Sequence, residues 1–339
     1  MDHKKTINAN STKHYLHRKC QGSISRTHFL NSVYRVLLNL DASSVHSFTL
    51  SLTKNYHSYH INQWISAILN RGVKELLIES NKNLDISSYS HWKSQSLEKL
   101  VLNMNGCAIG VPSFVCLSTL TVLKLTRITF TCQPSNDPKN LIIKLPVLRE
   151  YEAENCSWLN VKDITFEVPL LEVLSITPAY ESVDSHTIMK FCAPRLTKFS
   201  YSGYVSPISD TILLDIDLSR ARNITGKILM NFLQNTPFLK TLLLQVKLLQ
   251  FDAEHSNPEN VSSCIISNLE VFKFGKLYDI EQELRSAKFV MEYAQVLKVA
   301  SFSPRWDLRK STFEKVKKKI LSFKRSVSSM VIEFPPIFR

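Results

Sequence analysis

Three residues near the start of the chain, His14, His17 and Cys20, have a spacing that suits metal binding. Imidazole nitrogen and thiolate sulfur are the usual ligands of structural zinc, which is bound tetrahedrally. His28 is the next candidate ligand, but no second cysteine pair accompanies the group and two basic residues lie inside it. Because the set of ligands is incomplete and basic residues are interleaved with it, we predict no metal site at these residues.

Residue patterns typical of enzymes are missing from the sequence. It contains no glycine-rich phosphate loop, no G-x-S-x-G and no H-E-x-x-H, the patterns that mark nucleotide binding, a serine nucleophile and zinc hydrolysis. The histidines are scattered, and His57 and His60 in YHSYH fit a polar loop ahead of a helix. We predict that the protein is not an enzyme and holds no cofactor.

The clearest candidate for binding chemistry is a row of three carboxylates, Glu150, Glu152 and Glu154. Alternate residues of a strand point to the same side of a sheet, so a strand at 148–154 would present all three together. Such a row suits a basic segment of a protein partner, whereas the alternative is a strand face that is merely solvated. Three lysines are predicted to share this side on neighbouring strands: Lys99, Lys124 and Lys198.

The strand that carries these carboxylates belongs to a spacing that recurs along the chain. The pattern is apolar-x-x-apolar-x-apolar, as in LEKLVL (97–102), LTVLKL (120–125) and LREYEA (148–153). Copies start at residues 45, 73, 97, 120, 148, 171, 196, 239 and 269. A weaker copy, LLDIDLSRA (213–221), lies in the widest gap. Most intervals fall in or near the range typical of leucine-rich repeats, about 20–29 residues.

A single copy of the pattern cannot be stable alone. A short strand can neither bury its apolar side nor pair its own backbone, and neighbouring copies supply both needs as a parallel sheet. The predicted fold is therefore an α/β leucine-rich-repeat solenoid, with the sheet on the concave side and helices and loops outside. The carboxylate row and the three lysines would then lie on the concave face.

The segments between the strands predict a mixed outer layer. NQWISAILNRG (62–72) reads as a helix with Trp64, Ile65, Ile68 and Leu69 on its apolar side and Gly72 at its end. TGKILMNFLQNTP (225–237) reads likewise, with Thr225 as the N-cap. TCQPSNDPKN (131–140) contains two prolines and is predicted to be a loop.

Composition limits the class of protein further. Only 7 glycines occur, against roughly 24 at the average usage of about 7 per cent, which disfavours folds built on glycine-rich loops. No apolar run is long enough for a membrane span, so no membrane partner is expected. Seven cysteines without a regular framework favour a reducing compartment. We predict a cytoplasmic or nuclear protein.

The net charge of +13 is concentrated near the two ends of the chain. Residues 1–35 carry +6 and residues 305–325 carry +7, so the remainder is neutral. A nucleic-acid reader usually concentrates its charge on one folded face. We therefore expect solvated ends and no nucleic-acid partner, with a nucleic-acid binder acting through these ends as the alternative.

With this order of elements the sequence resembles plant F-box proteins that carry leucine-rich repeats and a C-terminal FBD domain. FLNSVYRVLLNLDASSVHSFTLS (29–51) is similar to the helix and strand that follow the F-box in that family. LRSAKFVMEYAQVLKVASF (284–302) resembles the FBD helix and strand. FEKVKKKILSFKRSVSSMVIEF (313–334) resembles the closing helix, turn and last strand, with Ser311 and Glu314 as a capping box.

The resemblance implies a substrate-recognition subunit of a cullin–RING (SCF-type) ubiquitin ligase, whose repeats hold an unidentified protein partner. It divides the chain into a basic, disordered tail (1–28), a solenoid (29–280) and an FBD-like α+β cap (281–339). Residues 1–28 contain three leucine or isoleucine residues and no proline. Because that composition cannot form the helices of an F-box, we do not expect docking of a Skp-type adaptor there. A truncated or stand-alone repeat protein without a ligase role is the alternative.

Overall fold

The computed structural model describes fourteen stretches of the 339-residue chain. They are residues 4–8, 26–38, 46–52, 56–80, 94–110, 117–131, 139–178, 188–202, 223–245, 247–249, 251, 261–277, 280–305 and 307–335. The chain forms two compact units, the first comprising Met1–Val168 with Glu181–Thr187 and the second Pro169–Tyr180 with Ile188–Arg339.

The described part of the first unit consists of parallel strands and two helices. Strands β1, β2, β3, β4, β5 and β7 follow one another in a parallel sheet, and β6 pairs with β8 in a second parallel pair. The elements are β1 (Lys4–Asn8), α1 (Arg26–Leu38), β2 (Ser47–Leu52), α2 (Ser58–Leu69), β3 (Glu75–Ser80), β4 (Lys99–Gly110), β5 (Val122–Thr131), β6 (Lys139–Lys144), β7 (Glu150–Leu159) and β8 (Val161–Glu167).

The described part of the second unit repeats this plan. Strands β9, β11, β13, β15, β16 and β17 form a parallel sheet, and β12 pairs with β14. The elements are β9 (Val173–Pro178), β10 (Ile188–Cys192), β11 (Lys198–Ser202), β12 (Asn223–Thr225), α3 (Gly226–Asn235), β13 (Thr241–Gln245), β14 (Lys247–Leu249), α4 (Ser263–Ser267), β15 (Val271–Leu277), α5 (Ile280–Tyr293), β16 (Val299–Pro304), α6 (Lys310–Leu321) and β17 (Val331–Glu333).

The recurring apolar positions form the core of each sheet. In the first unit five register partners are at most 2 per cent exposed: Phe48, Leu76, Leu100, Leu123 and Tyr151. In the second unit the equivalent column is Leu174, Phe199, Leu242, Phe272 and Ala300. All nine strong copies of the pattern coincide with strands of these sheets. The predicted α/β class with a large parallel sheet is confirmed, while the weak copy at 213–221 lies outside the described residues.

The helices form where apolar residues recur on one side. Phe29, Val33 and Leu37 are four residues apart on α1, and all three are buried. Helix α2 covers most of the predicted segment 62–72, but it begins at Ser58 and ends at Leu69. Gly72 lies beyond the end with a φ of 73°, and its N–H donates a hydrogen bond to the carbonyl of Leu69. This left-handed conformation is the reason that glycine suits the position.

Three strands of the first unit contain a left-handed residue at neighbouring positions. Gly106 in β4, Arg127 in β5 and Asn155 in β7 have φ values of 78°, 54° and 53°, and Arg127 and Asn155 directly follow the register partners Thr126 and Glu154. In β5 the buried side changes from odd-numbered residues to even-numbered ones after this point. The left-handed residue therefore shifts the alternation of the strand by one position. The same strand buries odd-numbered side chains before this residue and even-numbered side chains after it.

The N-terminal segment departs from the expected disordered tail at residues 4–8. This stretch forms β1, which pairs in parallel with β2 from Lys4 opposite Ser47 to Asn8 opposite Ser51. Pairing with an edge strand satisfies backbone groups without an apolar face, a source of order that composition does not reveal. The candidate ligands His14, His17 and Cys20 lie outside the described residues.

The start of helix α6 corrects the predicted capping box. The helix begins at Lys310 with Arg309 at the N-cap, and the side chain of Arg309 makes no cap hydrogen bond. The N–H of Phe313 already donates to the carbonyl of Arg309, so Ser311 lies inside the first turn. Glu314 instead forms an ion pair with Lys317 at 2.8 Å.

The FBD-like segment continues the sheet of the second unit. Strand β16 pairs in parallel with β15, and β17 pairs in parallel with β16. Leu297, Ala300 and Phe302 occupy the repeat positions and are buried. The sheet therefore has no break at the predicted boundary between residues 280 and 281, and the three-part division of the chain stays a prediction.

Candidate interaction surface

Lys124 is the centre of a charged cluster on the half-exposed side of the first sheet. It lies opposite Glu152 in the register of β5 and β7. Its ammonium nitrogen is 2.7 Å from Oε1 of Glu150 and 3.0 Å from Oε2 of Glu152. The alternation of each strand places all three side chains on one side, so the register itself creates the cluster.

The two carboxylates change the acid–base behaviour of Lys124. The hydrogen bond to Glu150 is the main reason that the pKa of Lys124 lies above its usual value of 10.5. Burial acts in the opposite direction, and the hydrogen bond and negative charge of Glu152 raise the pKa further. Lys124 therefore carries its charge at neutral pH and neutralises part of the predicted acidic row.

The remaining predicted residues occupy different settings. Glu154 is exposed and forms no ion pair with any residue of the described stretches. Lys99 is half-buried and lies in β4, in register with Glu75 and Val122. Lys198 is exposed in the second unit, where it pairs in register with Val173 and Thr241. The structure thus brings Lys124, Glu150 and Glu152 into contact. Of the other three predicted residues, Lys99 and Glu154 lie in the first sheet and Lys198 lies in the second.

Polar side chains continue this side of the first sheet toward its start. Oγ of Ser51 donates a hydrogen bond to Oε2 of Glu79 at 3.1 Å, and Glu79 lies opposite Asn103 in the next strand. Thr126 and Glu154 complete the row in β5 and β7. This row is polar throughout and includes the carboxylates Glu79 and Glu154.

A second set of charges, which sequence reasoning missed, lies one residue before the strands. Lys74 and Glu98 are 2.7 Å apart, and Glu270 lies between Lys240 at 3.9 Å and Lys298 at 2.5 Å. The hydrogen bond from Lys298 holds the pKa of Glu270 below its usual value. The sequence did contain a signal for these ion pairs. Opposite charges occur at the second position of the repeated pattern, and that position lies directly before each strand.

The cysteines with described side chains differ in exposure. Cys264 is buried, Cys156 is partly exposed and Cys192 is exposed. Burial raises the pKa of the Cys156 thiol to about 11, and it does the same for Cys264. Both thiols are therefore protonated at neutral pH and are poor nucleophiles.

No group of three or more histidine, cysteine, aspartate or glutamate residues is placed to hold a metal ion within the described stretches. None of the helices in the described stretches is both long and apolar enough to cross a membrane. His57 caps the start of α2 by accepting a hydrogen bond from the N–H of Tyr59, and His60 contacts the hydroxyl of Tyr34 at 2.9 Å.

Comparison with known proteins identifies a specific group of relatives. The FBD family model matches residues 257–302. A putative FBD-associated F-box protein of Arabidopsis thaliana is 25% identical over 82% of this chain and 79% of its own length. An F-box/FBD/LRR-repeat protein of the same plant is 27% identical over 67% of this chain and 52% of its own length. Another is 25% identical over 81% and 79%.

These matches agree with the order of elements in the sequence. The FBD match spans α4, β15, α5 and most of β16, and the matches to whole relatives extend over the repeats. The resemblance to plant FBD-type F-box and leucine-rich-repeat proteins is therefore confirmed.

Proposed function

We propose that this protein is a non-enzymatic protein-interaction module of the plant F-box/FBD/LRR type, in which the half-exposed side of the sheet binds a protein partner. In this proposal the strands form the concave side of a leucine-rich-repeat solenoid. The protein would resemble the recognition subunit of an SCF-type ubiquitin ligase, but it would join such a ligase through a contact other than docking of a Skp-type adaptor on residues 1–28. The observation that carries the proposal is the charged cluster of Lys124, Glu150 and Glu152 beside the exposed Glu154.

The chemistry of this surface favours a partner with basic residues. Lys124 neutralises one of two carboxylates in its cluster, which leaves an excess of negative charge beside Glu154 and Glu79. Charges on a rigid sheet keep their geometry without the entropy loss of ordering a loop. A lysine or arginine side chain of the partner would approach Glu154 first, because its carboxylate has no ion pair within the described stretches.

The decisive experiment compares charge-reversal variants of the full chain. Tagged protein is expressed in plant cells, cross-linked and purified, and the captured proteins are quantified by mass spectrometry. Glu154→Lys alone should reduce a captured partner several-fold without disturbing the Lys124 cluster. Reversal of Glu150, Glu152 and Glu154 together should abolish capture. An unchanged set of partners in both variants would dispose of the proposal.

A matched control carries the same change in net charge away from this side of the sheet. The control variant reverses three glutamates that each form one ion pair elsewhere in the fold: Glu98, Glu167 and Glu281. It should retain the partner, and circular dichroism should show both triple variants folded. Equal loss in the control would mean that net charge alone governs binding.

The location and the ligase role belong to the same proposal. We place the protein in the cytoplasm or nucleus because its seven cysteines favour a reducing compartment. The ligase role rests on relatives that are named F-box proteins. A stand-alone binding role predicts the same partner but no change in that partner's ubiquitination when the protein is depleted.

A further inference from the structure

Helix α6 carries three lysines, Lys315, Lys318 and Lys319, that form a basic stripe. Residues three and four apart are neighbours on a helix surface, so these three side chains lie together, and all are exposed. The opposite side of α6 buries Phe313, Val316 and Ile320 in the second unit. Packing therefore fixes the helix and holds the basic stripe toward solvent.

In the part of the chain that the structure describes, the charges of the basic stripe are balanced only in part, by the negative charge of Glu314 one turn before Lys318. Neighbouring lysines have acidic partners, Lys317 with Glu314 at 2.8 Å and Lys324 with Glu292 at 3.9 Å. Within the described stretches Lys315, Lys318 and Lys319 form no ion pair. Like charges at these spacings destabilise a helix, so the stripe works against the stability of its own element.

The helix dipole explains part of this arrangement but not all of it. Lys318 and Lys319 lie in the last turn, where positive charge interacts favourably with the carbonyl end of the helix. Lys315 lies more than one turn before the end at Leu321, where that effect has faded. A negatively charged partner would stabilise all three positions.

An apolar residue adjoins the basic stripe. Leu321 is three residues after Lys318 and is 50% exposed, so it lies beside the stripe on the helix surface. An acidic peptide with an apolar residue would use both features. A phosphate backbone would use the charges alone.

We propose that the basic stripe with Leu321 is a second interaction surface, which binds an acidic polypeptide segment containing an apolar residue. Three positive charges are fewer than the about 6–10 phosphate contacts of a typical DNA-binding protein. The exposed Leu321 offers a contact to an apolar side chain, which a phosphate backbone lacks. This surface lies outside the FBD match at 257–302 and does not depend on the function proposed for the sheet.

The test measures binding of a fluorescein-labelled peptide, Glu-Glu-Leu-Glu-Glu-Glu-Leu-Glu, to the full chain by fluorescence anisotropy. The stripe variant replaces Lys315, Lys318 and Lys319 with glutamine, which preserves helix propensity. Loss of three ion pairs should weaken binding at least about tenfold. Lys318→Gln alone should weaken binding by about threefold. This variant tests the basic stripe in a protein that differs from the natural chain at one residue.

Matched controls separate the basic stripe from net charge and from nucleic-acid binding. A triple glutamine variant at exposed lysines elsewhere should bind the peptide within about twofold of the natural chain; it changes Lys74, Lys144 and Lys240. Leu321→Ser, or a peptide with serine for leucine, should weaken binding by about threefold. A DNA duplex should bind more weakly than the peptide at about 200 mM salt.

Four outcomes would overturn the proposal. They are no binding of the peptide, equal weakening by the control triple variant, tighter binding of the duplex than of the peptide, and no effect of removing the leucines. Thermal unfolding of the stripe variant should change little, because the substitution removes both the repulsion between like charges and the favourable interaction of Lys318 and Lys319 with the end of the helix.

Discussion

Leu123 and Lys124 are adjacent in sequence but have opposite surroundings. Leu123 is 2% exposed and lies between Leu100 and Tyr151 in the register. Lys124 points to the other side, where it contacts the carboxylates of Glu150 and Glu152. At the scale of one residue, the side of the strand on which a side chain lies decides its role. A side chain on the buried side stabilises the fold, and one on the half-exposed side is available for binding.

Substitution of these two residues by alanine should separate the two roles. Leu123→Ala leaves a cavity in the core and should lower the free energy of unfolding by about 2–5 kcal/mol. Lys124→Ala removes two half-exposed ion pairs, each worth about 0.2–1 kcal/mol. Urea unfolding followed by circular dichroism measures both, and equal losses would contradict the assigned register.

The contribution of Lys124 should also depend on pH in one direction. Its pKa in the folded state lies above 10.5 because Glu150 accepts a hydrogen bond from its ammonium. The stabilisation is therefore fully present below pH 10.5 and is lost as the pH rises through the raised pKa. The difference in unfolding free energy between natural chain and Lys124→Ala should be constant from pH 7 to 10 and shrink above that range.

Cys156 should react slowly despite its partial exposure. Burial raises the pKa of its thiol from the usual 9.0 to about 11, so at neutral pH it holds about a hundredfold less thiolate than an ordinary cysteine. Alkylation by iodoacetamide, followed by mass spectrometry of peptides, should modify the exposed Cys192 before Cys156. The rate at Cys156 should rise with pH up to about 11, and rapid modification at pH 7 would contradict the expectation.

At the scale of the elements, helix α6 is determined by packing more than by capping. Its N-cap is Arg309, whose side chain makes no cap hydrogen bond. The helix forms because Phe313, Val316 and Ile320 are buried together, and tertiary packing supplies most helix stability in proteins. A residue at position 309 whose side chain accepts a hydrogen bond could therefore add a cap that Arg309 does not supply.

Arg309→Ser should stabilise the protein, because a serine at the N-cap accepts a hydrogen bond from the first turn. The expected gain in unfolding free energy is about 0.5–1 kcal/mol, measured by thermal or urea unfolding. Ser311→Ala is the matched control and should cause no loss, since Ser311 lies inside the helix. A loss of about 1 kcal/mol in the control would instead support Ser311 as the N-cap.

At the scale of the whole molecule, each unit is a sheet whose strands pair with the preceding and following repeats. Such structures obtain stability from each repeat and from the contact with its neighbours. Strand β1 adds to the first sheet in the same parallel register, and β17 adds to the second. Residues predicted to be a tail and a cap therefore extend the sheets through backbone pairing.

Adaptor binding tests the chain as a whole. Residues 1–28 contain three leucine or isoleucine residues, and residues 4–8 are a strand in the structure. An adaptor-binding F-box requires packed amphipathic helices, so the 339-residue chain should not co-purify with a co-expressed Skp-type adaptor. A similar F-box protein of Arabidopsis thaliana provides the positive control, and stoichiometric co-purification of this chain would contradict the expectation.

The sequence by itself determined where the strands lie and which side of each is buried. Leu97, Leu100 and Leu102 show this directly, because all three are 0% exposed and lie where the repeated spacing places them. Such information is local: a strand cannot turn one apolar side inward without a fixed period of two. Helices α2 and α3 were also predictable from a local pattern, because apolar residues recur in them every three to four positions. The ends of the two helices were not predictable in this way.

The tertiary structure alone decided how residues from different repeats meet. The contact of Lys124 with Glu150 and Glu152 depends on the register between β5 and β7. The first residue of α6 depends on which side chains are buried beneath it, and the order of residues 4–8 depends on an available edge in β2. Pairing partners, ion pairs and helix starts are set by distances between segments far apart in the chain, and a one-dimensional pattern does not contain those distances.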